Sequence, residues 1–293
     1  MRTIVTGVQD GDTSVRVLER ALAEAASSHL PLRAVNAWWR TPLLGDMAGM
    51  GYPVAQLAAD DNESAAQDLA GELLAKALSA APAGRHVAAS AEGHFGDPGR
   101  VLVEQARGAQ LLVVGGRGHG AVTSALLGSA TGYVLHHATC PVMVVPGTTA
   151  PGPFARVVVG VDGTDCSRTA LRWALDAAAG HRCPLAVVHA NDVHSIAGLH
   201  TSFPEHEAIV RQWLSDEIAA TLPDTRGVVV SSEAVDGTAS RLLLEIAGPD
   251  DLLVVGSRGR GGFADLVLGS VAMQCTAHAR GAVVVVHQGD SWQ

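Results

Sequence analysis

Residues 252–270 read LLVVGSRGRGGFADLVLGS. Gly256 and Gly259 follow an apolar run, Arg258 and Arg260 flank the turn, and Gly269-Ser270 stand nine residues further on. Without a Cβ, such a turn can reach positive φ and bring bare N–H groups close to an anion. A helix beginning at Gly269-Ser270 would add the positive end of its dipole. These are parts suited to a phosphate chain, although glycines can also serve only to let a strand turn tightly into a helix.

The same pattern occurs earlier. Residues 111–129, LLVVGGRGHGAVTSALLGS, place Gly115, Arg117, Gly118, His119, Gly128 and Ser129 at identical spacing. Gly115 and Gly256 lie 141 residues apart. The match extends upstream to Arg100/Arg241 and downstream to His137-Ala138/His278-Ala279. Gly7-Val8 and Gly160-Val161 match at an offset of 153, so the first half carries 12 extra residues, assigned to the region around Trp38–Gln56. A self-match of this length marks two tandem domains. Pro146–Pro153, PGTTAPGP, reads as a linker. The expected division is residues 1–146, a linker at 147–153, residues 154–288, and a tail at 289–293.

Elements that could position these turns are legible in each half. In the second, strands are expected at Ala155–Val161, Pro184–His189, Gly227–Ala234, Leu252–Val255 and Ala282–Val286. Helices are expected at Ser167–Gly180, Glu205–Leu222, Ala239–Ala247 and Gly269–Ala279. Asp165 is the expected cap of the first of these. In the first half, strands fall at Thr3–Val8, Leu32–Ala37, Val87–Ala91, Leu111–Val114 and Val142–Val145. Apolar strands alternating with helices make an α/β, doubly wound parallel sheet covered on both faces. Ligands of such sheets sit at strand carboxyl ends where strand order reverses. That places a site at the ends of the first and fourth strands of each half.

Composition narrows the function. The chain is 47% hydrophobic with a net charge of −9, which argues against a general nucleic-acid binder. No run approaches the roughly 20 apolar residues of a membrane span, and the N-terminus is read as lacking a signal peptide. Cys140, Cys166, Cys183 and Cys275 lack metal-ligand or CxxC spacing, which fits a reducing cytoplasm. No metal site and no catalytic residue is assigned. A Walker loop, GxxxxGK[ST], is absent from the sequence, and the glycine turn follows the fourth strand rather than the first, unlike a dinucleotide fold.

GxxG-x9-G[ST] after the fourth strand, Gly160-Val161-Asp162 after the first, Val188-His189-Ala190 and His137–Val142 together resemble the universal stress protein family in its tandem form. The resemblance implies two five-stranded domains of the adenine nucleotide alpha hydrolase-like kind, binding ATP accompanied by Mg2+. Carried over, Asp162 would hydrogen-bond adenine and the Ala190 backbone would meet its edge. Gly256, Gly259, Gly269 and Ser270 would cradle phosphates and ribose, with Arg258 and Arg260 nearby. The first-half counterparts are Gln9, Ala37, Gly115, Arg117, Gly118, Gly128 and Ser129. Gln9 stands where Asp162 does in the second half, so the first site is expected to be the weaker. The family's edge pairing implies that the last strands, Val142–Val145 and Val283–Val286, join the two halves as a pseudo-dimer. A homodimer of such chains is a further expectation.

Three functions remain open at this point: a non-catalytic ATP-binding stress regulator, a nucleotide-independent interaction module with an unknown protein partner, and an adenylating or ATP-pyrophosphatase enzyme. The third is expected to show an SGGxDS-like loop, where this chain has GVDGTDCS.

Overall fold

The computed structural model describes residues 2–38, 54–81, 86–116, 127–147, 152–191, 204–259 and 268–289. The first half runs β1 (Ile4–Val8), α1 (Asp12–Ser28), β2 (Leu32–Trp38), α2 (Val54–Ala80), β3 (Ala89–Phe95), α3 (Pro98–Gln105), β4 (Leu111–Gly115), α4 (Ser129–His137) and β5 (Val142–Val145). The second repeats it as β6 (Val157–Gly160), α5 (Asp165–His181), β7 (Leu185–Asn191), α6 (Pro204–Thr221), β8 (Val230–Asp236), α7 (Ala239–Ile246), β9 (Leu252–Gly256), α8 (Ser270–His278) and β10 (Val283–Val286).

Each half has the order expected of a doubly wound sheet, with the first strand between the second and the fourth. The two sheets fuse into one of ten strands, β3-β2-β1-β4-β5-β10-β9-β6-β7-β8. Every neighbouring pair is parallel except the central one. There β5 and β10 run antiparallel, with Met143 opposite Val284. The two short valine strands thus join the halves, and neither exposes an apolar edge.

Alternation along the strands feeds two cores. Val157 and Val159 point to the layer containing Leu18, Leu22, Leu171 and Leu214, while Val158 points to the opposite layer with Leu102, Leu135, Leu243 and Ala272. Strand side chains buried on both faces explain why the inner strands read as unbroken apolar runs.

Three expectations shift. The edge strands begin two to three residues later than expected, at Ala89–Phe95 and Val230–Asp236. Their polar side chains, ASAEGHF and VSSEAVD, give weak apolar signal because each strand has a partner on one side only. The cap of α5 is Thr164, whose Oγ1 accepts from Ser167 N at 3.2 Å, while Asp165 is the first helical residue. The extra chain of the first half also sits differently. Helix α2 has 27 residues against 18 in α6, so nine of the 12 additional residues lengthen a helix. Residues 39–53 of the aromatic and methionine-rich segment lie outside the described residues.

Candidate functional site

Strand order reverses between β1 and β4, and again between β6 and β9. A cavity opens at each reversal. The second-half cavity is about 390 Å3 and is walled by Gly160–Asp162, Ala190, Gly256, Arg258-Gly259 and the start of α8. The first-half cavity is about 270 Å3 and is walled by the matching Gly7–Gln9, Ala37, Gly115, and Gly128-Ser129. Every described residue assigned to a site from the sequence therefore lines one cavity or the other. Arg117, Gly118, His119 and Arg260 lie outside the described residues.

The glycines serve by leaving space. Gly115, Gly128, Gly256, Gly259 and Gly269 all have ordinary negative φ, unlike Gly163 in the turn after Asp162, where φ is 81°. A Cβ on Gly259 would fall 2.7 Å from Asp162 Oδ2. One on Gly256 would fall 3.0 Å from Cys166 Sγ, and one on Gly160 only 2.8 Å from Leu243 Cδ1. The requirement is close approach between strand ends and the pieces opposite them.

Both glycine turns return to the sheet in the same way. Ser257 N donates to Val286 O at 2.8 Å, and Gly269 N donates back to Ser257 O at 2.7 Å. The first half repeats this with Gly116 N to Val145 O at 3.0 Å and Gly128 N to Gly116 O at 3.1 Å. Gly269 and Gly128 are the N-caps of α8 and α4, and neither cap supplies a side-chain hydrogen bond. The first-turn amides and the helix dipole therefore face the cavities uncapped by side chain, a ready arrangement for an anion. Arg258, exposed at the rim, adds positive charge.

Asp162 is held from three directions. Its Oδ1 accepts from Thr164 N at 3.0 Å and from Thr164 Oγ1 at 2.7 Å, and its own N–H donates to Ser167 Oγ at 3.3 Å. Thr164 Oγ1 thus donates to Asp162 while accepting from Ser167 N, which fixes the hydroxyl orientation. In the first half, Ser14 keeps the matching role, accepting from Gln9 N at 3.0 Å. Gln9 is exposed, and Gly11, the N-cap of α1, supplies no side-chain cap.

Sequence reasoning missed Thr164, Ser167 and Leu243 as parts of the site. The signal was available for two of them: Ser14 and Ser167 repeat at the 153 offset, and Leu102 and Leu243 at 141. Among the described residues no cluster of three or more His, Cys, Asp or Glu is placed to hold a metal, and no helix is long and apolar enough to cross a membrane.

A ten-stranded sheet made of two like halves, each with a glycine-capped crevice at its reversal point, defines a tandem α/β protein with paired ligand-type clefts. The sequence profile of the universal stress protein family matches residues 1–146 and 153–287, and the chain belongs to that family. A universal stress protein of Mycobacterium bovis is 31% identical over 294 residues, 97% of this chain and 97% of that relative. One from Mycolicibacterium smegmatis is 35% identical over 190 residues, where the alignment covers 64% of this chain and 65% of the relative, just under two thirds of its length. The crystal structure of a universal stress protein from Archaeoglobus fulgidus shares the fold, with a TM-score of 0.68 at 20% identity over 98% of both chains.

Proposed function

We propose that this chain is an ATP-binding universal stress protein acting as a cytoplasmic regulator, with its principal site in the second half. The observation that carries this reading is the pairing of Asp162 with the side-chain-free surface of Gly259 across a crevice whose far wall is the start of α8. A cavity of about 390 Å3 falls within the range of about 300–1,000 Å3 usual for small-molecule sites. The acceptor carboxylate suits the amino group of an adenine, and the amides of Ser270 and Val271 in the first turn of α8 suit phosphate oxygens.

The residues present fit that nucleotide. Without a Cβ, Gly256 and Gly259 let the glycine turn pack against Cys166 and the Asp162 carboxylate, which leaves the cavity beside the start of α8 open for a phosphate chain. Mg2+ would take most of its six ligands from phosphate oxygens and water, leaving a place for the Ser270 hydroxyl. Asp162 is suited to holding rather than to proton transfer, because Thr164 already donates twice to one of its oxygens.

The first half supports a different reading. Its cavity of about 270 Å3 is smaller, and Gln9 offers an uncharged amide in place of the carboxylate. We read it as a weak nucleotide site or a nucleotide-independent interaction module, within a chain that forms homodimers and engages a protein partner. Equilibrium titration with ATP tests the reading: Asp162→Ala and Gly256→Ala are each expected to weaken binding at least tenfold. Unchanged affinity in both would remove the site assignment.

A further inference from the structure

The peptide unit joining Val161 to Asp162 is gripped at both ends by side chains. Its N–H, that of Asp162, donates to Ser167 Oγ at 3.3 Å. Its carbonyl, that of Val161, lies 2.8 Å from Nδ1 of His189. A carbonyl oxygen can only accept, so His189 carries its proton on Nδ1. His189 is 5% exposed at the end of β7, with the Trp213 ring 4.6 Å away. Val161 N also donates to Val188 O at 2.9 Å, so β6 and β7 are tied together where the carboxylate leaves the sheet.

The first half lacks one of these grips. Ser14 holds Gln9 N just as Ser167 holds Asp162 N. The residue matching His189 at the 153 offset is Asn36, which β-sheet register places beside Val8. Asn36 is buried, yet among the described residues it makes no side-chain hydrogen bond to the Val8 carbonyl. The half with a carboxylate at the position of Asp162 has the histidine clamp; the half with Gln9 at that position has neither.

We propose that His189 is a positioning residue for the second site: it locks the Val161–Asp162 peptide plane and so fixes the direction in which the Asp162 carboxylate meets its ligand. This rests on the ATP reading above and adds to it a residue that acts without touching the nucleotide. Rotation of that peptide plane would swing Asp162 relative to Gly259, beside which the carboxylate fits only because the glycine has no Cβ.

The experiment is a double-mutant cycle read by ATP titration. His189→Phe keeps a ring against Trp213 and removes the donor, and it is expected to weaken ATP binding about tenfold, the scale of one lost hydrogen bond. His189→Asn installs the residue of the first half, which makes no such bond there, and is expected to lose as much affinity as His189→Phe. In an Asp162→Ala background, His189→Phe is expected to change affinity less than about twofold, because a positioning residue has nothing left to position. A second measurement needs no substitution at His189. Its ring 15N resonances in the wild-type chain should report a protonated Nδ1, and should move on adding ATP to wild type but not to Asp162→Ala.

An equal loss from His189→Phe in both backgrounds would overturn the proposal, as would an unprotonated Nδ1 or a ring unresponsive to saturating ATP. Those results leave the ATP reading intact. A wild-type chain that binds no ATP would overturn both.

Discussion

Asp162 and Gly259 face each other so closely that a single added carbon would fall 2.7 Å from the carboxylate Oδ2. The two residues are 97 positions apart in sequence and come from loops after β6 and β9, the strands flanking the reversal point. Gly259→Ala is therefore expected to displace Asp162 and weaken ATP binding at least tenfold. Gly259 is exposed and has no positive φ, so the thermal midpoint should move little. Titration alongside a melting curve separates lost geometry from lost fold.

The first site offers the reciprocal change. In an Asp162→Ala chain, adding Gln9→Asp should restore ATP binding at the first-half cavity, since Ser14 already holds the backbone there. A hydrogen bond to a charged acceptor contributes about 1.5–3 kcal/mol, so a gain of about tenfold over Asp162→Ala alone is expected by calorimetric titration.

Much of this was legible because the sequence repeats itself. Two copies of GxxG-x9-GS with the same surroundings gave the halves and the cavity walls. The polar edge strands β3 and β8 were mislocated because an edge strand need not be apolar on both faces. Thr164 was hidden behind Asp165: either residue type can cap a helix, and only the contact of Thr164 with Asp162 decides between them. The pattern marks Gly259 as part of a side-chain-free turn open to an anion, but the carboxylate opposite it is a long-range contact that no local pattern encodes.

A buried polar cluster links the two halves. Arg20 donates to Gly152 O at 2.7 Å, sits 4.1 Å from the Phe154 ring centroid and 3.6 Å from Glu24 Oε1. Glu24 Oε2 in turn meets His181 Nε2 of α5 at 2.9 Å. Arg20→Ala would leave Glu24 buried at 5% side-chain exposure without the guanidinium. Breaking such a pair typically costs about 3–5 kcal/mol. A fall of that size in unfolding free energy by urea titration is the expected outcome.

Acid sensitivity has an identifiable contributor at the outer edge of the sheet. Arg33 grips Glu92 through two bonds of 2.7 and 2.6 Å, and together with His94 lowers the Glu92 carboxyl from 4.5 to about 2. A depressed folded-state value stabilises the protein above the unfolded pKa, and that stability drains as pH falls from about 4.5 toward 2. Arg33→Met should be less stable than wild type at pH 7. It should also lose less further stability across that acid window, as read by urea midpoints at successive pH values.

The most direct test of a nucleotide site at the second reversal point is equilibrium dialysis with labelled ATP, counting moles bound per chain. The expected result is close to one ATP per wild-type chain at concentrations where Asp162→Ala, at least tenfold weaker, is less than half filled. Equal occupancy of the two proteins, or no occupancy of wild type at millimolar ATP, would contradict it.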